Sequence, residues 1–324
     1  MTDGNTSAAG AERREILVVA HARREDTVAA ARRVISAVTA AGAQPVLPDG
    51  DDELRTALGD VGAIATLGVD VTVAAIDLAI VLGGDGTILR AAELVREGTA
   101  PILGINMGHV GFLAEIEADV IDEAMRRVIA REYEVEERMT LAVEVIDAAG
   151  TTIYDTWALN EATVEKASRE RMMEVVIEID GRPLSSFGCD GVVISTPTGS
   201  TAYNFSAGGP VIWPTVEAIA VVPLSAHALF ARPLVVGPEA AVAIEVLART
   251  DGIGILWCDG RRSHDLPPGA RVVARRSPTA VRLARLHPAP FTDRLVRKFQ
   301  LPVAGWRGPD THRLGVPPAG EGTA

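Results

Sequence analysis

An open α/β sheet followed by a second, mainly β unit is the architecture this 324-residue sequence predicts. Up to about residue 131, evenly apolar runs of strand length alternate with segments whose apolar residues recur at helical spacing. Past about residue 132 the period shortens to two. The length, too great for one comfortable core, favours two domains.

In chain order, Ile16–Ala20 is a continuous apolar run that fits a buried strand, and Glu25–Ala40 carries Val28, Ala31, Ile35 and Val38 on one helical face. Pro45–Leu47 and a short helix near Glu53–Leu58 follow. Ala74–Leu82 is too uniformly apolar for a half-solvated strand and fits one covered on both faces, as in parallel sheets. Ile88–Val95 reads as a helix, Pro101–Ile105 as a buried strand and Asp119–Arg131 as an amphipathic helix. Leu141, Val143 and Val145 then alternate with polar neighbours, as do Val175, Ile177 and Ile179, and Asp180-Gly181 is a hairpin signal. Ala241–Leu247 and Arg271–Leu283 repeat the alternation, and Thr292–Phe299 is a last helix. The expected division is a disordered tail at 1–14, an α/β (Rossmann-like) domain at 15–131 and a β-rich, sandwich-like domain at 132–285. A segment at 286–305 returns to the first domain, and a Gly- and Pro-rich flexible tail occupies 306–324.

Composition narrows the classes. The chain is 48% apolar and 23% charged, with net charge −12, which opposes a broad nucleic-acid footprint but not a local basic pocket. Cys189 and Cys258 make neither a disulfide framework nor a zinc pattern, and the first residues lack the apolar core of a secretory signal. The most apolar stretch, Val71–Leu82, is short of the roughly 20 residues that span a bilayer. A cytoplasmic location without membrane or nucleic-acid partners is therefore expected. Lys166 and Lys298 are the only lysines, and every other formal cation is arginine.

The most informative stretch is Gly83-Gly84-Asp85-Gly86-Thr87, placed where a buried strand ends and a helix begins. Ligands of α/β sheets collect at the carboxyl ends of strands, and amides at a helix start favour anions. The stretch is neither a Walker loop, which needs a lysine after the glycines, nor the dinucleotide fingerprint. By itself it is either a structural turn or an anion cradle. A second cluster, Ser195 to Tyr203, is dense in hydroxyls around Gly199: phosphate or ribose donors, or a capped polar turn. A third element, Asn160-Glu161, sets an amide beside an acid.

In their chain order and spacing these elements resemble the NAD kinase family. The matching residues are Gly83–Thr87, Asn160-Glu161, and Thr198–Tyr203 running on through Ser206-Ala207-Gly208-Gly209-Pro210. Gly108-His109-Val110-Gly111-Phe112-Leu113 is similar to the family's G-x-x-G-F-L loop, and the likeness extends from about Ile16 to Trp306. It implies transfer of the terminal phosphoryl group of ATP, or of polyphosphate, to the 2′-hydroxyl of the adenosine ribose of NAD. A divalent metal, Mg²⁺ or Mn²⁺, would assist, in a homodimer or homotetramer whose β-rich domain binds NAD. Asp85 would be the general base. Gly83, Gly84, Gly86 and Thr87 would face phosphates, and Phe112 belongs to the adjoining loop. Asn160, Glu161 and Asp190 would contact the dinucleotide, although Cys189 stands where many members run directly from glycine to that aspartate. Thr198, Thr201, Ala202, Tyr203 and Ser206 would form the adenine and ribose wall. Arg90 is either a phosphate contact or a solvated arginine, Arg171 a cationic contact or a surface charge, and His227 a ligand contact or a core polar group. Ser225 falls near the ligand in some members. No metal cluster is legible, and a kinase metal rests largely on phosphate oxygens and water. The rivals are a lipid or diacylglycerol kinase, which shares the glycine-aspartate turn, and a dinucleotide-binding regulator without activity.

Overall fold

The computed structural model describes residues 13–303 apart from 109–110, 115, 118–119, 168–171, 250–253 and 288–289. Its first part runs β1 (Glu15–Ala20), α1 (Glu25–Ala40), β2 (Gln44–Leu47), α2 (Asp52–Leu58), β3 (Ala65–Thr66), β4 (Ile76–Leu82), α3 (Asp85–Leu94), β5 (Ile102–Asn106), β6 (Ile116–Glu117), α4 (Ile121–Ile129) and β7 (Glu134–Arg138). The β-rich part comprises β8 (Leu141–Ile146), β9 (Thr152–Ala158), β10 (Glu161–Lys166), β11 (Met173–Ile179), β12 (Arg182–Cys189), β13 (Gly191–Ser195), the single turn α5 (Tyr203–Ser206), β14 (Ile219–Leu224), β15 (Leu234–Val236), β16 (Val242–Val246), β17 (Gly254–Cys258), β18 (Arg262–Leu266) and β19 (Arg271–Arg276). The chain closes with β20 (Val281–Arg285) and α6 (Phe291–Phe299).

The first sheet has the order β3-β2-β1-β4-β5-β20-β7, with β6 beside β5. Its strands are parallel except for β7, which runs antiparallel to β20. The run of β4 is buried on both faces, as its composition predicts. Leu78, Ile80 and Leu82 pack with α1 and α4, while Ala79 and Val81 pack with α3. Each fully buried Leu or Ile here contributes about 1.5–3 kcal/mol through removal from water.

The second and third sheets are antiparallel, ordered β15-β14-β13-β10-β17-β18 and β12-β11-β16-β19-β8-β9. Their inward residues share one buried cluster, among them Val143, Val175, Ile244 and Val272 from one sheet and Val164, Val192, Val221 and Leu256 from the other. This is the expected α/β plus sandwich-like architecture. Asp180 (φ 52°) and Gly181 (φ 72°) form the two-residue hairpin that their sequence signals.

Three details differ from the sequence reading. The alternating run Arg271–Leu283 is two strands, β19 in the sandwich and β20 in the first sheet, separated by Ser277-Pro278. Together with β7, β20 therefore extends the α/β sheet from within the stretch expected to be β-rich. Arg14, expected in the N-terminal tail, is tied to the fold: its guanidinium donates to Asp77 at 2.7 Å and to the carbonyls of Val128 and Ile129. Helix α3 begins at Asp85 rather than Ile88. Residues 1–12 and 306–324 of the expected tails lie outside the described residues. Among those described, no helix is long and apolar enough to cross a membrane.

Candidate active site

The strand order reverses direction between β1 and β4, the place where open α/β sheets leave a crevice beyond the strand ends. The glycine turn follows β4 there, anchored by the Gly83 amide on the Ile105 carbonyl at 2.9 Å. A Cβ on Gly83 would come 2.4 Å from the hydroxyl of buried Thr87, so this glycine lets the turn close on the helix. Gly84 and Gly86 differ, because a Cβ on either would meet nothing and the space above them is open. A pocket of about 80 Å³ adjoins the turn, lined by Gly83, Gly84 and Thr87 together with His21, Arg24, Thr27, Asn106 and Met107. Arg24, directly ahead of α1, reaches it, donates to the Met107 carbonyl at 2.8 Å and is paired with Asp26.

Asp85 is the first residue of α3, yet its side chain does not cap that helix. Its two carboxylate oxygens instead accept the amides of Phe112 at 2.9 Å and Leu113 at 3.0 Å, from the loop after β5. Gly111 makes this possible, since a Cβ there would fall 2.4 Å from Asp85 Oδ1. The Phe112 ring is buried between Phe291 and Phe299 of α6, and Arg294 donates to the Phe112 carbonyl at 2.7 Å. Phe112 thus serves Asp85 through its main chain, while its ring belongs to packing. Phe299 also stacks on Phe205, which joins this loop to the segment just after Tyr203.

The Asn160-Glu161 pair opens β10, in the middle of the second sheet. The Asn160 carbonyl accepts the Thr196 amide at 2.9 Å and lies so near Gly199 that a Cβ there would meet it. Several hydroxyls of the run serve their own turn. Thr196 donates to the Leu159 carbonyl, Thr201 to that of Thr198, and Ser200 to that of Pro197 while accepting the Ile212 amide. Glu161 is buried, and its Oε2 has no partner. Burial and the charge of Asp259 push its carboxyl up to about 8, against an opposing hydrogen bond from the Tyr203 amide. Asp259 holds this turn from behind. Its carboxylate accepts the amides of Leu159 at 3.0 Å and Asn160 at 2.7 Å, and the Arg262 guanidinium at 2.6 Å. Burial raises the Asp259 carboxyl despite these partners.

A third group surrounds Asp190. Lys166 lies 2.5 Å from its carboxylate and, with the Ser225 hydroxyl, holds that carboxyl below the usual range; His227 adds a weaker pull. The His227 amide bonds to the Gly188 carbonyl, so both Ser225 and His227 sit by the Asp190 turn, exposed. The Tyr203 phenol is raised by partial burial and by the nearby charges of Glu165, Glu161 and Asp190. Ser206 is exposed at the end of α5, Ala202 is half-buried, and Thr198 is buried. Burial pushes the thiols of Cys189 and Cys258 up to about 12, which leaves both inert.

Along β10 the structure sets two groups, Asn160 and Glu161 with the Tyr203 amide at its start, and Asp190 with Ser225 and His227 beside Lys166 at its end. Asp85 and Phe112 connect to the first through the aromatic contacts of α6. Arg90 donates to Asp51 at 2.5 Å, ahead of α2. Arg171, His109 and Val110 lie outside the described residues. Sequence reasoning names Gly111 only within the loop motif and Lys166 only as one of two lysines, and does not single out Asp259 or the Arg24 side of the pocket. The signals available were an Asp-Gly turn, one of two lysines, and a basic cluster directly after the first strand.

Comparison with known proteins fits this geometry. Residues 16–133 match the ATP-NAD kinase N-terminal domain and residues 159–286 the ATP-NAD kinase C-terminal domain. A curated NAD kinase of Leifsonia xyli is 63% identical over 301 residues, covering 93% of this chain and 99% of the relative. One from Thermobifida fusca is 56% identical, covering 91% and 92%. Two solved structures share the fold. A yeast NADH kinase complexed with NADH has a TM-score of 0.81 at 21% identity, over 90% of this chain and 89% of its own. An NAD kinase from Archaeoglobus fulgidus in complex with ATP has 0.66 at 24%, over 89% and 98%. With both domain models matched in order and relatives this similar over nine-tenths of its length, the chain belongs to the NAD kinase family.

Proposed function

We propose that this chain transfers the terminal phosphoryl group of ATP to the 2′-hydroxyl of the adenosine ribose of NAD, giving NADP and ADP. The observation that carries the reading is the Asp85 carboxylate, gripped by two amides beside an open glycine turn. Each carboxylate oxygen keeps a lone pair beyond the one used by its amide, so Asp85 can accept the proton as the ribose oxygen attacks phosphorus. A carboxylate is a weak base at neutral pH and supplies only part of the rate. Holding the hydroxyl in line and neutralising the phosphates supply the rest.

Asn160, Glu161 and Asp190 would hold the dinucleotide, with Tyr203 offering a ring face and Ser206, Ala202, Thr198 and Thr201 the adjoining wall. The unpartnered, buried Oε2 of Glu161 supports this, because a ribose or amide group can satisfy it. The glycine amides and Arg24 suit the donor's phosphates. For the metal, no group of three His, Cys, Asp or Glu side chains comes together among the described residues. The site therefore fits a hard cation carried in on phosphate oxygens and water, with Asp85 as the carboxylate nearest the glycine turn. Such an ion would offset phosphate charge. A homodimer or homotetramer is part of the same proposal, supported by Leu229 and Phe230, exposed just past His227.

The test is NADP formation from NAD, ATP and Mg²⁺, followed through an NADP-specific dehydrogenase, with Asp85→Asn and a polyphosphate arm alongside. The variant is expected to lose on the order of 10²–10⁴-fold in kcat while still binding NAD. A wild type that binds NAD but makes no NADP with either donor would leave a binding protein without activity.

A further inference from the structure

Helix α3 has a second job at its other end. Glu93, in its last turn, meets two arginines from the hairpin between β17 and β18. Arg261 Nε donates to Glu93 Oε2 at 3.0 Å, and Arg262 Nε lies 3.1 Å from Oε1. Arg262 then reaches deeper. It donates to Asp259 Oδ2 at 2.6 Å and to the Trp157 carbonyl at 2.7 Å, and its guanidinium stacks 4.5 Å from the Trp157 ring centroid. Asp259, its side chain almost wholly buried, accepts the Leu159 and Asn160 amides, while its own amide donates to the Glu161 carbonyl at 3.0 Å. A second strut runs parallel: Arg96, just beyond α3, stacks 4.2 Å from the Trp157 ring centroid.

The links form one chain of contacts from the helix that starts at Asp85 to the turn that presents Asn160 and Glu161. A helix is a stiff rod, and Asp85 to Glu93 spans about 12 Å along its axis. The Arg262–Asp259 link is charge-assisted and nearly closed to water at its Asp259 end, and such bonds resist displacement more than ordinary ones. We propose that Glu93, Arg262 and Asp259 are positioning residues that set the Asn160-Glu161 turn in register with Asp85, and so set the dinucleotide's ribose against the base. The inference rests on the functional reading above. None of the three needs to touch substrate; they act through Asn160 and Glu161.

A network that merely stabilised the fold would lower the melting point and the active fraction without moving KM. A positioning network moves the KM for NAD and spares that for ATP. The experiment measures steady-state kinetics for both substrates, and calorimetric NAD affinity, in wild type, Asp259→Asn and Glu93→Gln, each checked by circular dichroism. Asp259→Asn should raise the KM and the Kd for NAD about tenfold or more and leave the KM for ATP within about twofold. Glu93→Gln, at the half-buried end, should raise them about threefold. Combining Glu93→Gln with Arg262→Lys should give less than the product of the single effects. If Asp259→Asn fails to fold, Glu93→Gln and the double variant decide. Folded variants that bind NAD within about twofold of wild type would overturn the relay. A wild type that does not bind NAD would instead overturn the functional reading on which it rests.

Discussion

Replacing Glu161 by glutamine removes a carboxyl that burial and the Asp259 charge push up to about 8, while keeping its shape and the oxygen that accepts the Tyr203 amide. In the unfolded chain the same group titrates near 4.5. Between those values the folded state holds a proton that the unfolded state has released. Stability from this group is therefore fully present below about 4.5 and is lost as pH rises toward and through about 8. The slope approaches roughly 1.4 kcal/mol per pH unit within the window, so raising the pH from about 6 to about 8 removes roughly 2 kcal/mol. For a chain of this size that corresponds to about 3 °C in melting midpoint. Thermal unfolding of wild type and Glu161→Gln across that range reads the difference directly, because other titrating groups are common to both. Wild type should lose about 3 °C more than the variant. Curves that run parallel to within about 1 °C would mean that Glu161 is ionised throughout, and the reasoning from its burial would fail.

Three further outcomes follow from contacts that single atoms decide. Gly111→Ala places a methyl against Asp85 Oδ1 and should lower kcat by about 10²-fold with NAD affinity nearly unchanged; a loss below threefold in single-turnover assays would show that the carboxylate tolerates the shift. Gly199→Ala drives a Cβ into the Asn160 backbone and should cost about 1–3 kcal/mol in denaturant unfolding and weaken NAD binding; an unchanged midpoint with unchanged Kd would refute the close approach. Ser200→Ala strips the Ile212 amide of its acceptor inside the protein and should cost about 1–3 kcal/mol, which urea titration would detect.

Much of the fold was legible because burial on both faces leaves a plain mark. The evenly apolar β4 and the alternating β8 and β11 carry their sheet environment in their composition. The start of α3 was misplaced because Asp85-Gly86-Thr87 has poor intrinsic helix propensity; its first turn forms through Gly84, whose carbonyl accepts the Thr87 and Ile88 amides. The break after β19 was hidden because β19 and β20 each present a two-residue period, and only pairing partners reveal that they join different sheets. Of the candidate site, the residues within contiguous motifs were found. Asp259 was not, since its partners Leu159 and Asn160 are remote in sequence and an Asp-Gly turn reads equally well as a plain hairpin.

The glycines of this site divide by what they leave room for, and that division explains an acid inside a turn suited to phosphate. Gly84 and Gly86 have nothing over them, so a ligand's oxygens can approach their backbone. Gly83, Gly111 and Gly199 are crowded by the protein itself: by Thr87, by the Asp85 carboxylate and by the Asn160 carbonyl. The first set opens the turn, whereas the second brings functional groups closer than a Cβ would permit. Asp85 stands between the two sets. Its backbone belongs to the open turn, while its carboxylate is drawn onto amides of the Gly111 loop. Two backbone donors thus offset the charge that would otherwise repel a phosphate, and they fix the direction of the remaining lone pairs. An alanine at 84 and one at 111 should therefore fail differently, the first through the KM for ATP and the second through kcat. If both variants altered the same constant, the glycines would share a single role and this division would be wrong.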